Sequence, residues 1–149
     1  RLDLLELILT QIHSTTNTPI RTVQSTPKLI SETFLSSYEK HNGEINSLIV
    51  NDDNELISGS NDHLIKIWNM TTGEVKRDLI GHSGGVLSLV INEDNELISG
   101  SYDYTIKIWN MTTGELKKNL TGHDYWVWSL IINKDNELVS GSIDNSIKI

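Results

Sequence analysis

One stretch of this sequence is written nearly three times. Residues 40–80 and 81–121 align without a gap at a period of 41, with 26 of 41 positions identical. Residues 122–149 match the second copy at 18 of 28 positions. A unit this short cannot bury a hydrophobic face alone, so tandem copies stack and share a core with their neighbours. Each copy encodes short strands. Ile45–Val50, with cognates Val86–Ile91 and Val127–Ile132, is a first apolar run. Acidic turns follow at Asn51–Asn54, Asn92–Asn95 and Asn133–Asn136, then a second strand at Glu55–Ser60 and its cognates. A tight turn holds Asn61-Asp62, Tyr102-Asp103 or Ile143-Asp144. The third strand, Leu64–Met70, sets Ile65, Ile67 and Asn69 against Lys66, Trp68 and Met70, the period of two expected of a β-strand. Thr71-Thr72-Gly73 and Thr112-Thr113-Gly114 turn the chain into an outer strand, Glu74–Leu79, whose mixed polarity suits an edge.

Composition removes several function classes. Lys and Arg total 12 against 20 Asp and Glu, a net charge of -8, so the clustered positive charge that phosphate backbones require is lacking and nucleic acid is not expected as a partner. With no cysteine, disulfides, thiolate metal sites and cysteine nucleophiles are excluded. The apolar stretch Leu2–Ile12 is too short and too interrupted to span a bilayer and has neither the basic flank nor the cleavage site of a secretory signal. No membrane partner is expected, and a cytoplasmic or nuclear setting is.

The first 39 residues do not repeat. Leu2, Leu5, Leu9 and Ile12 form one stripe, so residues 1–12 read as the end of a helix from an upstream region. Residues 13–32, rich in Ser and Thr with Pro19 and Pro27, read as a linker. Shifted by one period, Phe34 falls on Val75 and Tyr38 on Leu79, so residues 33–39 read as a lone outer strand.

Gly81-His82, Gly122-His123, the Ser-Gly-Ser-x-Asp runs at Ser58–Asp62, Ser99–Asp103 and Ser140–Asp144, and Ile-Lys-Ile-Trp-Asn at Ile65–Asn69 and Ile106–Asn110 together resemble the WD-repeat β-propeller family. Asn69 and Asn110 depart from its terminal Asp, and Lys40 from its leading Gly. The resemblance implies an all-β fold: a partial β-propeller of four-stranded antiparallel blades, preceded by the helical and linker segment, with repeats at 40–80, 81–121 and, truncated, 122–149. It also implies that residues 33–39 form a latch strand joining the last blade. Propellers close with about 4–8 blades. Two full repeats and most of a third are therefore expected to be a piece of a larger ring, completed by other blades of the same propeller or, alternatively, by self-association.

His82, Ser99 and Asp103 are the residue types of a hydrolase triad, and the set recurs as His41, Ser58, Asp62 and as His123, Ser140, Asp144. Active sites are rarely copied into every repeat, whereas packing devices are. The resemblance implies that the turn Asp orients the His, the His bonds the Ser hydroxyl, and the hydroxyl meets the indole N–H of Trp68 or Trp109. The third copy has no such Trp. No glycine-rich elbow or oxyanion donor accompanies the trio. These residues are read as a structural network, with no catalytic residue, metal or cofactor. Asn51-Asp52-Asp53-Asn54-Glu55 lacks the Gly and distal Glu of a calcium loop. His13 and His63 have no partner ligands at usable spacing. The sequons at Asn69, Asn110 and Asn119 matter only in a secreted chain.

Function is expected where the copies differ. In the resembling family the third and fifth residues after the His, and the residue before the turn Asp, project onto the top rim. Here these are Glu44, Asn46 and Asn61; Gly85, Leu87 and Tyr102; Trp126, Trp128 and Ile143. Tyr and Trp there suit an interface. The reading is a non-catalytic scaffold that binds a protein or peptide on this rim. The alternative is the substrate-receptor or sensor portion of a multidomain protein, such as a ubiquitin-ligase subunit or signalling NTPase, with its catalytic domain elsewhere.

Overall fold

A computed structural model of the chain describes residues 40–149. The helix end over 1–12, the linker over 13–32 and the latch strand over 33–39 lie outside the described residues. Among the described residues, eleven strands, all antiparallel, make three sheets. Strands β1 (Ile45–Val50), β2 (Glu55–Ser60), β3 (Ile65–Asn69) and β4 (Val75–Leu79) form blade 1 in sequential order. Strands β5 (Val86–Ile91), β6 (Glu96–Ser101), β7 (Ile106–Asn110) and β8 (Leu116–Leu120) form blade 2. Strands β9 (Val127–Ile132), β10 (Leu138–Ser142) and β11 (Ile147–Lys148) form blade 3.

The turns follow from local chemistry repeated in each copy. At the end of β1, Asn51 Oδ1 accepts the Glu55 N–H at 2.8 Å while its amide donates to Glu55 Oε2 at 2.7 Å. The same clasp joins Asn92 to Glu96 and Asn133 to Glu137. Asn54, Asn95 and Asn136 take the left-handed conformation that closes each of these turns, which Asn tolerates better than most residues. After β3, Asn69 Oδ1 accepts the N–H groups of Thr71 and Thr72, and Gly73 at φ 77° completes the reversal.

Register decides which side chains share a face. Opposite partners in β1 to β4 place Ile49, Ile57, Ile65, Ile67 and Leu79 on one face, and Leu48, Val50, Leu56, Ser58, Lys66 and Trp68 on the other. The alternation of β3 thus separates two buried faces rather than a wet one from a dry one. The first face of blade 1 meets the second face of blade 2: Ile57, Ile65, Ile67 and Leu79 pack with Val86, Leu89, Leu97, Trp109 and Met111. The next seam repeats this arrangement, with Ile98 and Ile106 of blade 2 against Val127 and Leu130 of blade 3. Polar bridges cross the seams too. Asn46 Nδ2 donates to Val86 O at 2.9 Å, Arg77 Nη1 to Met111 O at 2.6 Å, and the Glu93 N–H to Asn136 Oδ1 at 3.2 Å.

The two end faces show what neighbours contribute. Leu48 is 58% exposed, whereas its cognates Leu89 and Leu130 are 4% and 5% exposed. Among the described residues, only those two have a preceding blade against them. On the opposite face of blade 3, Ile131, Ile147 and Ile149 are exposed, although of the cognates of the last two Ile65, Ile67 and Ile106 are buried and Ile108 is half-buried. Truncation should register the difference. Leu89→Ala is expected to lower the stability of the 149-residue chain by ~2–5 kcal/mol in urea denaturation, and Leu48→Ala by less than ~0.5 kcal/mol. Equal losses would mean that the seam is not a packed interface.

Candidate functional site

Three polar networks lie in corresponding places, each between a strand of the blade and the loops at one end. In blade 2, the Trp109 indole N–H donates to Ser99 Oγ at 2.8 Å, Ser99 Oγ lies 2.7 Å from His82 Nε2, and His82 Nδ1 lies 2.7 Å from Asp103 Oδ2. Blade 1 repeats it: Trp68 to Ser58 at 2.8 Å, Ser58 to His41 at 2.6 Å, and His41 to Asp62 at 2.9 Å. In blade 3, His123 reaches Ser140 at 2.8 Å and Asp144 at 2.7 Å. The donor count fixes two of the protons. Indole can only donate, so the Ser oxygen accepts from it and still has an O–H to give, to His82 Nε2 or to Lys107 O at 3.5 Å; a carboxylate only accepts, so Nδ1 carries the proton it shares with Asp103.

The carboxylate also ties two loops together. Asp103 accepts the N–H of Ser83, the N–H of Thr105 and the Thr105 hydroxyl. Burial works against its charge, yet the bonds from His82, Thr105 and Ser83 outweigh burial and hold its pKa well below the usual carboxylate range. Asp62 is lowered in the same way, with burial opposed by Asn42 N–H, His41 and Leu64 N–H. At Asp144 the Ser146 hydroxyl leads, reinforced by His123 and by the N–H groups of Ser146 and Asp124. Ser99 is fully buried and its oxygen is already committed to Trp109 and His82, so no substrate carbonyl can approach it. The trio has a triad's residue types without a triad's access.

The rim residues gather at the same end of the blades and divide into a polar and an aromatic part. Between blades 1 and 2, Asn61 Nδ2 donates to Glu44 Oε2 at 2.9 Å and Asn46 Nδ2 to Asn61 Oδ1 at 2.8 Å. Gly85 makes this close approach feasible, because a Cβ there would stand 2.6 Å from Asn61 Oδ1 and 2.9 Å from Tyr102 Cδ2. Between blades 2 and 3, the Tyr102 and Trp126 rings meet edge to face, with centroids 4.6 Å apart and planes at 67°. Gly85 and Leu87 are buried and present no surface. Trp128 is 56% exposed and Ile143 is also exposed. The cognates of Trp128, Asn46 and Leu87, are bonded to the next blade or buried. Two surface aromatics lay outside the sequence-derived rim: Tyr104, and Tyr125, which stacks on it and also touches Trp126. The signal for Tyr125 was legible, since the other copies hold Gly43 and Gly84 in that column. Among the described residues, no group of His, Cys, Asp and Glu is placed to hold a metal ion, and no helix is long and apolar enough to cross a membrane.

The family model described as WD domain, G-beta repeat, matches residues 32–69, 73–110 and 114–149, and the chain belongs to this WD40 family. The chain is similar to the crystal structure of the WD40 β-propeller domain of Doa1, at 34% identity and a TM-score of 0.69, over 72% of this chain and 36% of that one. It is also similar to the computationally designed Ika8 protein, at 35% identity and a TM-score of 0.66, over 73% of this chain and 33% of that one. The chain thus spans about a third of the length of these solved structures. No curated protein matches it. Its three sheets are WD40 propeller blades, a fold that generally serves as a protein-interaction scaffold and is generally non-catalytic. Each family unit is staggered against the sheets: the unit 73–110 contains β4, which completes blade 1, and then β5 to β7 of blade 2.

Removing the Asp103 carboxylate leaves buried His82 without its acceptor, so Asp103→Ala is expected to cost ~1–3 kcal/mol in chemical denaturation. The pH dependence has a definite sign. A carboxyl whose folded pKa lies below its unfolded value, about 3.9, contributes stability above that value and loses it as pH falls. The chain should therefore keep its stability from neutral pH down to about pH 4–5 and lose it progressively below, and Asp103→Asn should flatten that loss. An unchanged acid limb in the variant would contradict the network.

Proposed function

We propose that this chain is part of a non-catalytic protein-interaction scaffold that binds a protein or peptide on the top rim of a WD-repeat propeller. The Tyr102–Trp126 ring pair carries the reading. It joins two blades at the columns where the copies differ most, while the residues that hold each blade together recur from copy to copy. Tyr and Trp offer large contact area at small entropic cost and dominate interface hot spots. The net charge of -8 favours a basic or neutral partner through long-range steering. The buried seams give the rim a rigid base, so binding needs little reorganisation.

The end faces that no described residue covers fit the same reading. Blade 3 presents on its outer face the residue types with which blade 1 receives blade 2, and blade 1 presents the complementary set. Further blades of the same kind would cover both and extend the rim on either side.

The experiment is affinity capture with the full chain as bait, read by mass spectrometry. Tyr102→Ala combined with Trp126→Ala is expected to lose the recovered partners with an unchanged circular dichroism spectrum. Lys134→Ala, in the β9–β10 turn at the opposite end, should retain them. The same partners recovered by the double variant would rule out this rim.

A further inference from the structure

Four aromatic rings from two blades continue the rim outward. Tyr102 meets Trp126 at 4.6 Å, Trp126 meets Tyr125 at 4.9 Å, and Tyr125 stacks on Tyr104 at 5.4 Å with planes 16° apart. Two of the four break local rules. Tyr104 has φ 70°, in the left-handed region where a bulky residue is strained. Its cognate Asn145 has φ 66° and is suited to it. Tyr125 stands in the column of Gly43 and Gly84, where an added Cβ would come 2.6 Å and 2.8 Å from the backbone nitrogens of Asp62 and Asp103. Neither tyrosine is buried in return: Tyr104 is 41% exposed and Tyr125 40% exposed. Exceptions of this kind concentrate where a protein does something besides fold.

Charge selects the occupant. The loops at this end of blades 2 and 3, residues 81–85, 101–105, 122–126 and 142–146, contain no Lys or Arg, although Lys148 lines a cavity that Tyr104 and His123 share. Asp124, next to Tyr125, is exposed; its N–H bonds to Asp144, and among the described residues no partner holds its carboxylate. An exposed tyrosine face with a free carboxylate beside it, on loops that carry no Lys or Arg, is a site for a cation. Guanidinium suits it better than ammonium, being planar, weakly hydrated and able to stack while donating to a carboxylate. A proline-rich segment would also favour aromatic rings but would gain nothing from the acidic surroundings. We infer that Tyr104, Tyr125 and Asp124 receive an arginine side chain from a basic peptide segment, with Trp126 and Tyr102 supporting the flanking residues. This rests on the rim reading and specifies the partner's chemistry.

The test is fluorescence anisotropy of the full chain with a labelled peptide of alternating Arg and Gly, beside a proline-rich peptide of equal length. Tyr104→Asn with Tyr125→Gly restores residues found in the sister copies, so the thermal midpoint should hold or rise. Affinity for the arginine peptide should drop by about tenfold, and Asp124→Asn should weaken it and flatten its salt dependence. Failure of the arginine peptide to bind, equal binding of the proline-rich peptide, or unchanged affinity in the double variant overturns the inference. If Tyr102→Ala with Trp126→Ala abolishes partner capture while the Tyr104 and Tyr125 changes leave peptide binding intact, the rim reading stands and this one falls.

Discussion

A four-stranded sheet that is apolar on both faces cannot stand alone in water, and the rest of the molecule follows from that. In β3, Ile65 and Ile67 face one way and Trp68 the other, so each blade needs a neighbour on each side. Face-to-face packing carries Ser99 into the seam, where a lone hydroxyl would be costly. The indole above it, the imidazole beside it and the carboxylate beyond complete its hydrogen bonding. That chain in turn pins the loop after each of these His residues to the β-turn that carries the Asp. The hydrophobic seam therefore creates the polar requirement, and the polar network positions the loops.

Once the loops are pinned, the side chains they display can vary at little cost to the blade. The two seams illustrate this. Between blades 1 and 2, Gly85 leaves room for Asn61, and the rim there is a ladder of amides and a carboxylate. Between blades 2 and 3, Trp126 fills the corresponding place and the rim is aromatic. The backbone bonds beneath are alike: Asn61 N–H to Glu44 O, Tyr102 N–H to Gly85 O, and Ile143 N–H to Trp126 O. One scaffold thus carries two chemically distinct surfaces, which is how a repeat protein acquires specificity without changing its fold.

Much of this architecture is legible in the repeat itself. The strand runs Ile45–Val50 and Glu55–Ser60, the Asn turns and the Thr-Thr-Gly turns are set by local periodicity and turn chemistry, which need no knowledge of what lies across the seam. The residue types of the network are equally plain, because they recur in register in each copy. Leu87 was harder: its column holds Asn46 and Trp128 in the other copies, so spacing alone does not mark it as buried. Tyr104 was harder still, since its ring partner lies in a different copy.

The amino-acid sequence by itself determined the repeating unit, its strands, its turns and the roster of polar residues, since these depend on spacings of a few residues along one chain. Tertiary structure alone decided which faces are covered, why Leu48 is wet where Leu89 is dry, and that four aromatic rings from two blades lie in one row. Burial and ring contact depend on what stands opposite, and in a stacked array that is always a residue from another copy.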